Sequence, residues 1–175
     1  MIENNYNELP VVGIEPSCLL TFNDEFKSFS NLNGRDKIKN EFFLLEEFLL
    51  NEIKNGNKVK TKEFDKNVLI HGHCHQKSQN RTKGLTSLLN ELNIKNSMID
   101  SSCCGMAGSF GYSSKHYEVS KKMAHLSLIP AVNNSGSEDF IVANGTSCRH
   151  QISDFSNKKP KHISELLFNL FETIN

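Results

Sequence analysis

"NVLIHGHCH", residues 67–75, decides how this chain is read. Val68, Leu69 and Ile70 form an apolar run too short for a helix and too apolar for a surface loop, and it fits a buried strand reaching about His71. Gly72 breaks the run, and a cysteine follows at once. The same order of apolar run, break and cysteine recurs three times. It appears at Val11 to Ile14 with Cys18, at "SMID" (97–100) with Cys103 and Cys104, and at Phe140 to Ala143 with Cys148.

Helical periodicity fills the intervals. "NEFFLLEEFLLNEIKNG", residues 40–56, places Phe42, Leu45, Leu49 and Ile53 at helical spacing. Glu41, Glu46, Glu47 and Glu52 fall on the other faces, with Gly56 as a C-terminal cap. Further helices are expected from about Gly84 to Leu92, from about Ser114 to Leu128 with a stop near Pro130, and over "HISELLFNLFETI" at 162–174. Residues 23–38 read as a polar loop or a short helical turn. Strands alternating with helices predict an α/β fold, a mainly parallel sheet with helices on both faces. The cysteines then lie in the loops at the carboxyl ends of the strands, where open parallel sheets form ligand sites.

The bulk numbers narrow the function. The 175 residues suffice for one hydrophobic core. Lys and Arg balance Asp and Glu at 20 each, which argues against nucleic acid as the main partner. The basic stretch from Asn157 to Lys161 reads as a solvated loop. No apolar run has the length of a transmembrane segment, and the polar, acidic Met1 to Pro10 does not read as a signal peptide. The expectation is therefore a cytoplasmic protein, with peripheral attachment at the inner face of a membrane as its only membrane contact. In a reducing compartment five cysteines point to metal binding or redox chemistry before structural disulfides.

One cysteine in such a place is usually a small buried apolar residue. Five of them, each after a strand and beside Gly, Ser or His, argue for chemistry. A disulfide between neighbours Cys103 and Cys104 would close a strained ring and is not expected. Thiolate clusters take zinc, copper(I) or iron–sulfur groups. No C-x-x-C knuckle of the zinc-finger kind is present, because Cys148 is followed by Arg149, His150 and Gln151. Adjacent cysteines crowd a single tetrahedral ion but suit a polynuclear cluster. Gly105 and Gly108 would let backbone N–H groups approach its sulfides. His71, His73 and His75 alternate around Cys74, so on an extended segment they would share a face. His73 or His75 could then ligate, tune or carry protons. Lys77 and Arg149 either offset cluster charge or face solvent. Two other chemistries stay open. One is a zinc site from Cys74, His75, Cys104 and Cys148 with an organising role. The other is a metal-free thiol–disulfide protein whose thiols are activated by histidines and helix N-termini.

"HGHCHQKS", "SSCCGMAGSFGY" and "ANGTSCRHQI" together resemble the cysteine-rich CCG domain. That domain occurs in the cysteine-rich subunit of heterodisulfide reductase and in the iron–sulfur subunits of glycolate and lactate oxidases. Its pattern is a cysteine, a long gap, Cys-Cys-Gly, a second gap and C-x-x-C. Here 28 residues separate Cys74 from Cys103, and 42 separate Gly105 from Cys148. "GIEPSCLLTFNDE", "LLEEFL" and "GTSCRHQI" extend the similarity, from about Val11 to Leu167, to the C-terminal end of large bacterial FAD-linked D-2-hydroxyacid dehydrogenases. The resemblance implies a duplicated unit. Residues 1–60 would be the remnant of a first repeat plus a connecting helix, and residues 61–175 the complete second repeat, together one compact unit. It implies Cys74, Cys103, Cys104 and Cys148 as ligands of an iron–sulfur cluster, favoured as [4Fe–4S], with Cys18 contributing across the repeats. The loop "MAGSFGY" would close the pocket. It also implies partners: FAD on another domain or subunit, the missing first repeat, and a quinone or carrier protein as electron acceptor. Gln151 departs from the pattern by standing where the last cysteine of C-x-x-C would be. The truncated first copy and the missing ferredoxin and flavin motifs imply a fragment, a split-gene subunit or a remnant, not competent alone.

Overall fold

The computed structural model describes residues 9–28 and 41–172. Most of the expected 23–38 loop and the first eight residues lie outside that range, while Glu25–Ser28 form one helical turn, α2. The fold is α/β, with every strand pair parallel, but the strands divide into two sheets instead of one.

The smaller sheet pairs β1 (Val11–Gly13) with β2 (Phe42–Leu44). The expected helix over 40–56 therefore begins later than its periodicity suggested. Phe42 and Phe43 favour extended backbone. Leu44 closes the strand, its amide donating to the Glu47 carboxylate at 2.9 Å, and α3 runs from Leu45 to Lys54. The Arg81 guanidinium grips the Glu47 carboxylate from the other side and donates to the Phe42 carbonyl at 3.0 Å. Between the two strands, α1 (Pro16–Leu19) begins with proline, whose missing N–H costs nothing in a first turn.

The larger sheet has the order β4-β3-β5, with β3 (Val68–His71) central, β4 (Asn96–Met98) and β5 (Phe140–Ala143). The register sets Ile70 against Met98 and Val142, and His71 against Ala143. Alternation along the strands splits the core in two. Val68, Ile70 and Val142 pack with Leu85, Leu88 and Leu89 of α5 (Lys83–Glu91), Leu50 of α3, and Ile163, Leu166 and Leu167 of α9 (Ile163–Leu170). Leu69, Ile141 and Ala143 pack on the opposite side with Leu128 and Val132 of α7 (Leu128–Asn133) and Ile152 of α8 (Thr146–Phe155). Continuous apolar strands are what a parallel sheet covered on both faces requires. The Lys161 backbone exchanges hydrogen bonds with Ile141 and Ala143 at 2.8 and 3.0 Å, so part of the basic 157–161 stretch shields the outer edge of β5.

Four further helices were not read from the sequence or have other bounds. The expected 114–128 helix starts at Tyr117 and ends at Leu126 as α6, and Ser127 turns the chain into α7. Pro130 does not stop that helix. It sits in the first turn of α7, where its absent N–H has no intrahelical partner to lose. A short α4 (Cys74–Ser78) and the ten-residue α8 follow β3 and β5 directly. Cys18, Cys74 and Cys148 therefore sit in short helices or first helical turns, while Cys103 and Cys104 lie in irregular backbone. No helix among the described residues is long and apolar enough to cross a membrane.

Leu88 is fully buried where α5 meets β3. Leu88→Ala is expected to cost about 2–5 kcal/mol, read as a fall in the urea midpoint with an unchanged m-value.

Candidate metal centre

β3, β4 and β5 end side by side, and each releases one part of the site. His71 is the last residue of β3, and its imidazole is 1% exposed. Its Nδ1 lies 2.9 Å from Ser101 Oγ, and its Nε2 has no hydrogen-bond partner. After Gly72 the chain turns into α4. The His73 Nδ1 accepts from the His75 amide at 3.2 Å, and the Gln76 Oε1 accepts from the His73 amide at 3.1 Å. That reciprocal cap satisfies two amides of the first turn and fixes Cys74 as its first residue. The helix also ends the alternation. The segment is extended as far as His73, and His75 lies in the first turn of α4, where its ring meets the His73 ring edge to face at 5.3 Å. His71 and His73 are buried and His75 is half-buried.

The Cys103–Cys104–Gly105 loop follows β4. Gly105 has φ +90°, and a methyl group there would meet the Ser120 carbonyl oxygen of α6 at 2.4 Å. The space beside Gly105 thus belongs to a packed helix. Its amide still donates to Cys103 Sγ, at 3.3 Å. Gly108 has φ +65° and faces open space. In the loop that follows, Met106 and Gly111 are buried, Tyr112 is exposed, and Phe110 stacks on His116 at 4.2 Å. The Lys77 ammonium donates to the carbonyls of Ser101 and Ser102, the latter at 2.7 Å, and so straps this loop to α4. Burial lowers its pKa, and the nearby thiols pull it back up.

The third part starts from Ala143 at the end of β5. Gly145 lies so close to His73 that a methyl group would meet its Cδ2 at 2.2 Å and stand 3.2 Å from Cys148 Sγ. Thr146 opens α8, and its amide and hydroxyl both donate to the Glu15 carboxylate at 2.9 Å. Burial would raise Glu15, but these donors together with Ser17 hold it below its ordinary value. Arg149, next to Cys148, pins the strand exit, donating to the carbonyls of Ala143 and Asn144 at 2.9 and 2.7 Å. Gln151 is buried and donates to the Ser120 carbonyl and hydroxyl at 3.2 and 3.0 Å, so it braces α8 against the helix that backs Gly105.

These elements bring four of the five cysteines together. Their sulfurs form a chain, Cys74 beside Cys103, Cys103 beside Cys104 and Cys104 beside Cys148. These contacts hold the Cys103 and Cys148 thiols below the usual range and, with burial, hold Cys74 and Cys104 above it. Cys104, Cys148 and a ring nitrogen of His71 lie within 4.8 Å of one another, all buried. Cys18 is exposed on α1. All five cysteines are free thiols. Four sulfurs and an imidazole fit a soft or borderline metal group.

A polar group that the sequence reading placed on an outer face underlies this site. Glu46 is 1% exposed, and its Oε1 accepts from Gln76 Nε2 at 2.8 Å and from Asn144 Nδ2 at 3.0 Å. Asn144 Oδ1 in turn accepts from the Ile163 amide at 3.2 Å. Burial pushes the Glu46 carboxyl up to about 7, against the pull of its own amide and the two side-chain donors. The signal was present. Glu46 stands three, four and seven residues before Leu49, Leu50 and Ile53, and so on the apolar face of α3.

Comparison with known proteins agrees with the resemblance read from the motifs. Residues 68–153 match the family model of the cysteine-rich CCG domain. Across 160 residues, 91% of this chain, it is 24% identical to a subunit of the anaerobic glycerol-3-phosphate dehydrogenase of Escherichia coli, and it covers 40% of that subunit. It is also 24% identical to the D-2-hydroxyglutarate dehydrogenases of Pseudomonas putida, over 161 residues, and Haemophilus influenzae, over 174 residues. It covers 15% and 16% of those proteins. The chain therefore spans less than half the length of each of these relatives.

The Glu46 shift has a defined sign. The folded chain keeps a proton up to about pH 7 that the unfolded chain releases near 4.5. Stability is full below pH 4.5 and declines as pH rises from there to 7, by roughly 3 kcal/mol from this group. Glu46→Gln keeps the acceptor and removes the titration. The difference in unfolding free energy between the two proteins should grow across that window and level off above it, and a constant difference would remove Glu46 as its source.

Proposed function

We propose that this chain is an iron–sulfur electron-transfer module of a flavin-linked dehydrogenase. Cys74, Cys103, Cys104 and Cys148 would hold the cluster, favoured as [4Fe–4S]. The observation that carries the reading is the thiol chain itself, delivered from the ends of three adjacent parallel strands with a buried, unpartnered imidazole nitrogen beside it. A single structural thiol needs none of this. Four thiols gathered at one partly buried place, with an imidazole among them, suit a cation that binds them as thiolates, and such binding adds to folding free energy.

When bound, such a group supplies one-electron transfer. The chain's own residues do the rest. The Gly105 amide donates to Cys103 Sγ, and donation to a ligating sulfur raises the reduction potential. The Lys77 ammonium offsets thiolate charge from half-buried surroundings. Ile99, Met106 and Ile152 pack with Cys104 and Cys148 and keep water from the inner sulfurs.

The substrates named for the relatives each carry a secondary alcohol, and D-2-hydroxyacids are the class proposed here. The alcohol would lose two electrons to FAD on a partner domain or subunit. The electrons would leave through this chain toward a quinone or a carrier protein. A further cysteine-rich repeat is proposed to pack against the part of the chain that carries Cys18, and the assembly is proposed to act on the cytoplasmic side. A zinc module is the second reading, favoured by the compact group of His71, Cys104 and Cys148, since three protein ligands with an open fourth position is a zinc arrangement.

Anaerobic purification followed by iron, sulfide and zinc assay separates the two. Near-stoichiometric iron and sulfide with a brown colour is the expected result, and a colourless protein with one zinc would replace it with the second reading. Cys104→Ser is expected to lose most of the bound metal and lower Tm, because metal binding adds to folding free energy. Unchanged metal content would remove Cys104 from the ligands.

A further inference from the structure

We propose that His71 is a direct ligand of the metal group, bonding through Nε2 and completing the donor set that four cysteines begin. The inference rests on the metal-binding reading above and goes beyond it, because a mixed sulfur–nitrogen shell gives a different potential and a different coupling to protons than sulfur alone.

Four observations carry it. First, Nε2 is a buried polar atom with no hydrogen-bond partner, the only one among the described side chains. Leaving such an atom buried and unpaired is unfavourable, and a metal bond would remove that cost. The Cys148 sulfur approaches the ring, yet no hydrogen bond of acceptable geometry reaches Nε2. Second, the ring is already oriented as a ligand's would be. Nδ1 is engaged by Ser101 Oγ at 2.9 Å, and the Ser101 carbonyl is held by Lys77. Metal-bound histidines commonly fix their other nitrogen in this way. Third, a ring nitrogen of His71 and the sulfurs of Cys104 and Cys148 are mutually within 4.8 Å, so one metal ion can reach all three after small side-chain shifts. Fourth, two neighbouring groups are engaged elsewhere. Gln151 is tied by its amide nitrogen to Ser120, and His73 Nδ1 is committed to the cap of α4. His71 also sits on the central strand, the most constrained backbone at the site.

The test uses the whole chain labelled with ¹⁵N-histidine and reconstituted anaerobically with ferrous iron and sulfide. Pulsed EPR of the paramagnetic state reads a bonded nitrogen, and iron K-edge absorption reads the ligand shell in any spin state. The expected result is one bonded histidine nitrogen, lost in His71→Cys while iron is retained, with His71→Ala lowering metal affinity roughly tenfold or more. A stoichiometric cluster with a sulfur-only shell would overturn the His71 assignment and leave the electron-transfer reading standing. A nitrogen signal that persists in His71→Cys would assign it to another histidine and also overturn the proposal. Zinc in place of iron, with nitrogen in the zinc shell, would keep His71 as a ligand and remove the iron reading. A sulfur-only zinc shell, or no metal after reconstitution, would overturn both.

Discussion

The structure hangs on one buried carboxyl. Glu46 joins the Gln76 side chain, which caps the helix carrying Cys74, to Asn144, which begins the turn leading to Cys148. Asn144 then holds the first amide of α9. One side chain thus ties α3, α4, the exit of β5 and α9 into a single arrangement. Such a network is unforgiving in a low dielectric. Fully satisfied, it specifies one geometry; with one partner removed, the others are left buried and unpaired. The small sheet of β1 and β2 has its own link to the same place, through Glu15 to the first turn of α8 and through the His162 ring, whose Nε2 lies 2.8 Å from the Ile14 carbonyl oxygen.

The thiols sit where several constraints meet. Parallel strands end together, so the three loops converge by topology. Each loop is then secured separately: the His73 cap and Gln76 for Cys74, the Lys77 strap for Cys103 and Cys104, and Glu15 and Arg149 for Cys148. The glycines add close approach. Gly105 admits the Ser120 carbonyl, and Gly145 admits the His73 ring. Held this way, the sulfurs occupy fixed positions, and preorganisation of that kind is a main contribution a protein makes to a ligand site.

Much of this was legible in the residues. β3 and β5 fell at their predicted bounds because apolar runs between Gly, Asn and charged residues leave few alternatives. Alternating strands and helices placed all five cysteines after strands at one edge; the structure gathers four of them, while Cys18, after β1 of the separate small sheet, is exposed. What the periodicity missed was decided by tertiary contacts. Phe42 fits a helical stripe as well as a strand, and only pairing with Val11 selects the strand. The helix at Thr146–Phe155 has a weak apolar pattern, since two of its buried residues are Cys148 and Gln151. The alternating reading of the histidines assumes extended backbone, which holds as far as His73; the turn into α4, capped by His73, was not legible. Glu46 was passed over by residue type, although its spacing to Leu50 placed it inside.

The distance along the chain between the donors has a kinetic consequence. β3 pairs directly with β5, joining residues 68–71 to 140–143, and everything between must be accommodated before that pairing is rewarded. Parallel, long-range pairing is the slow part of folding for chains of this kind. Cys103 and Cys104 are neighbours in sequence, whereas Cys148 reaches them only through that pairing. The donor set is thus a property of the closed sheet and not of any one loop, so whatever loosens the β3–β5 edge disperses the donors along with it.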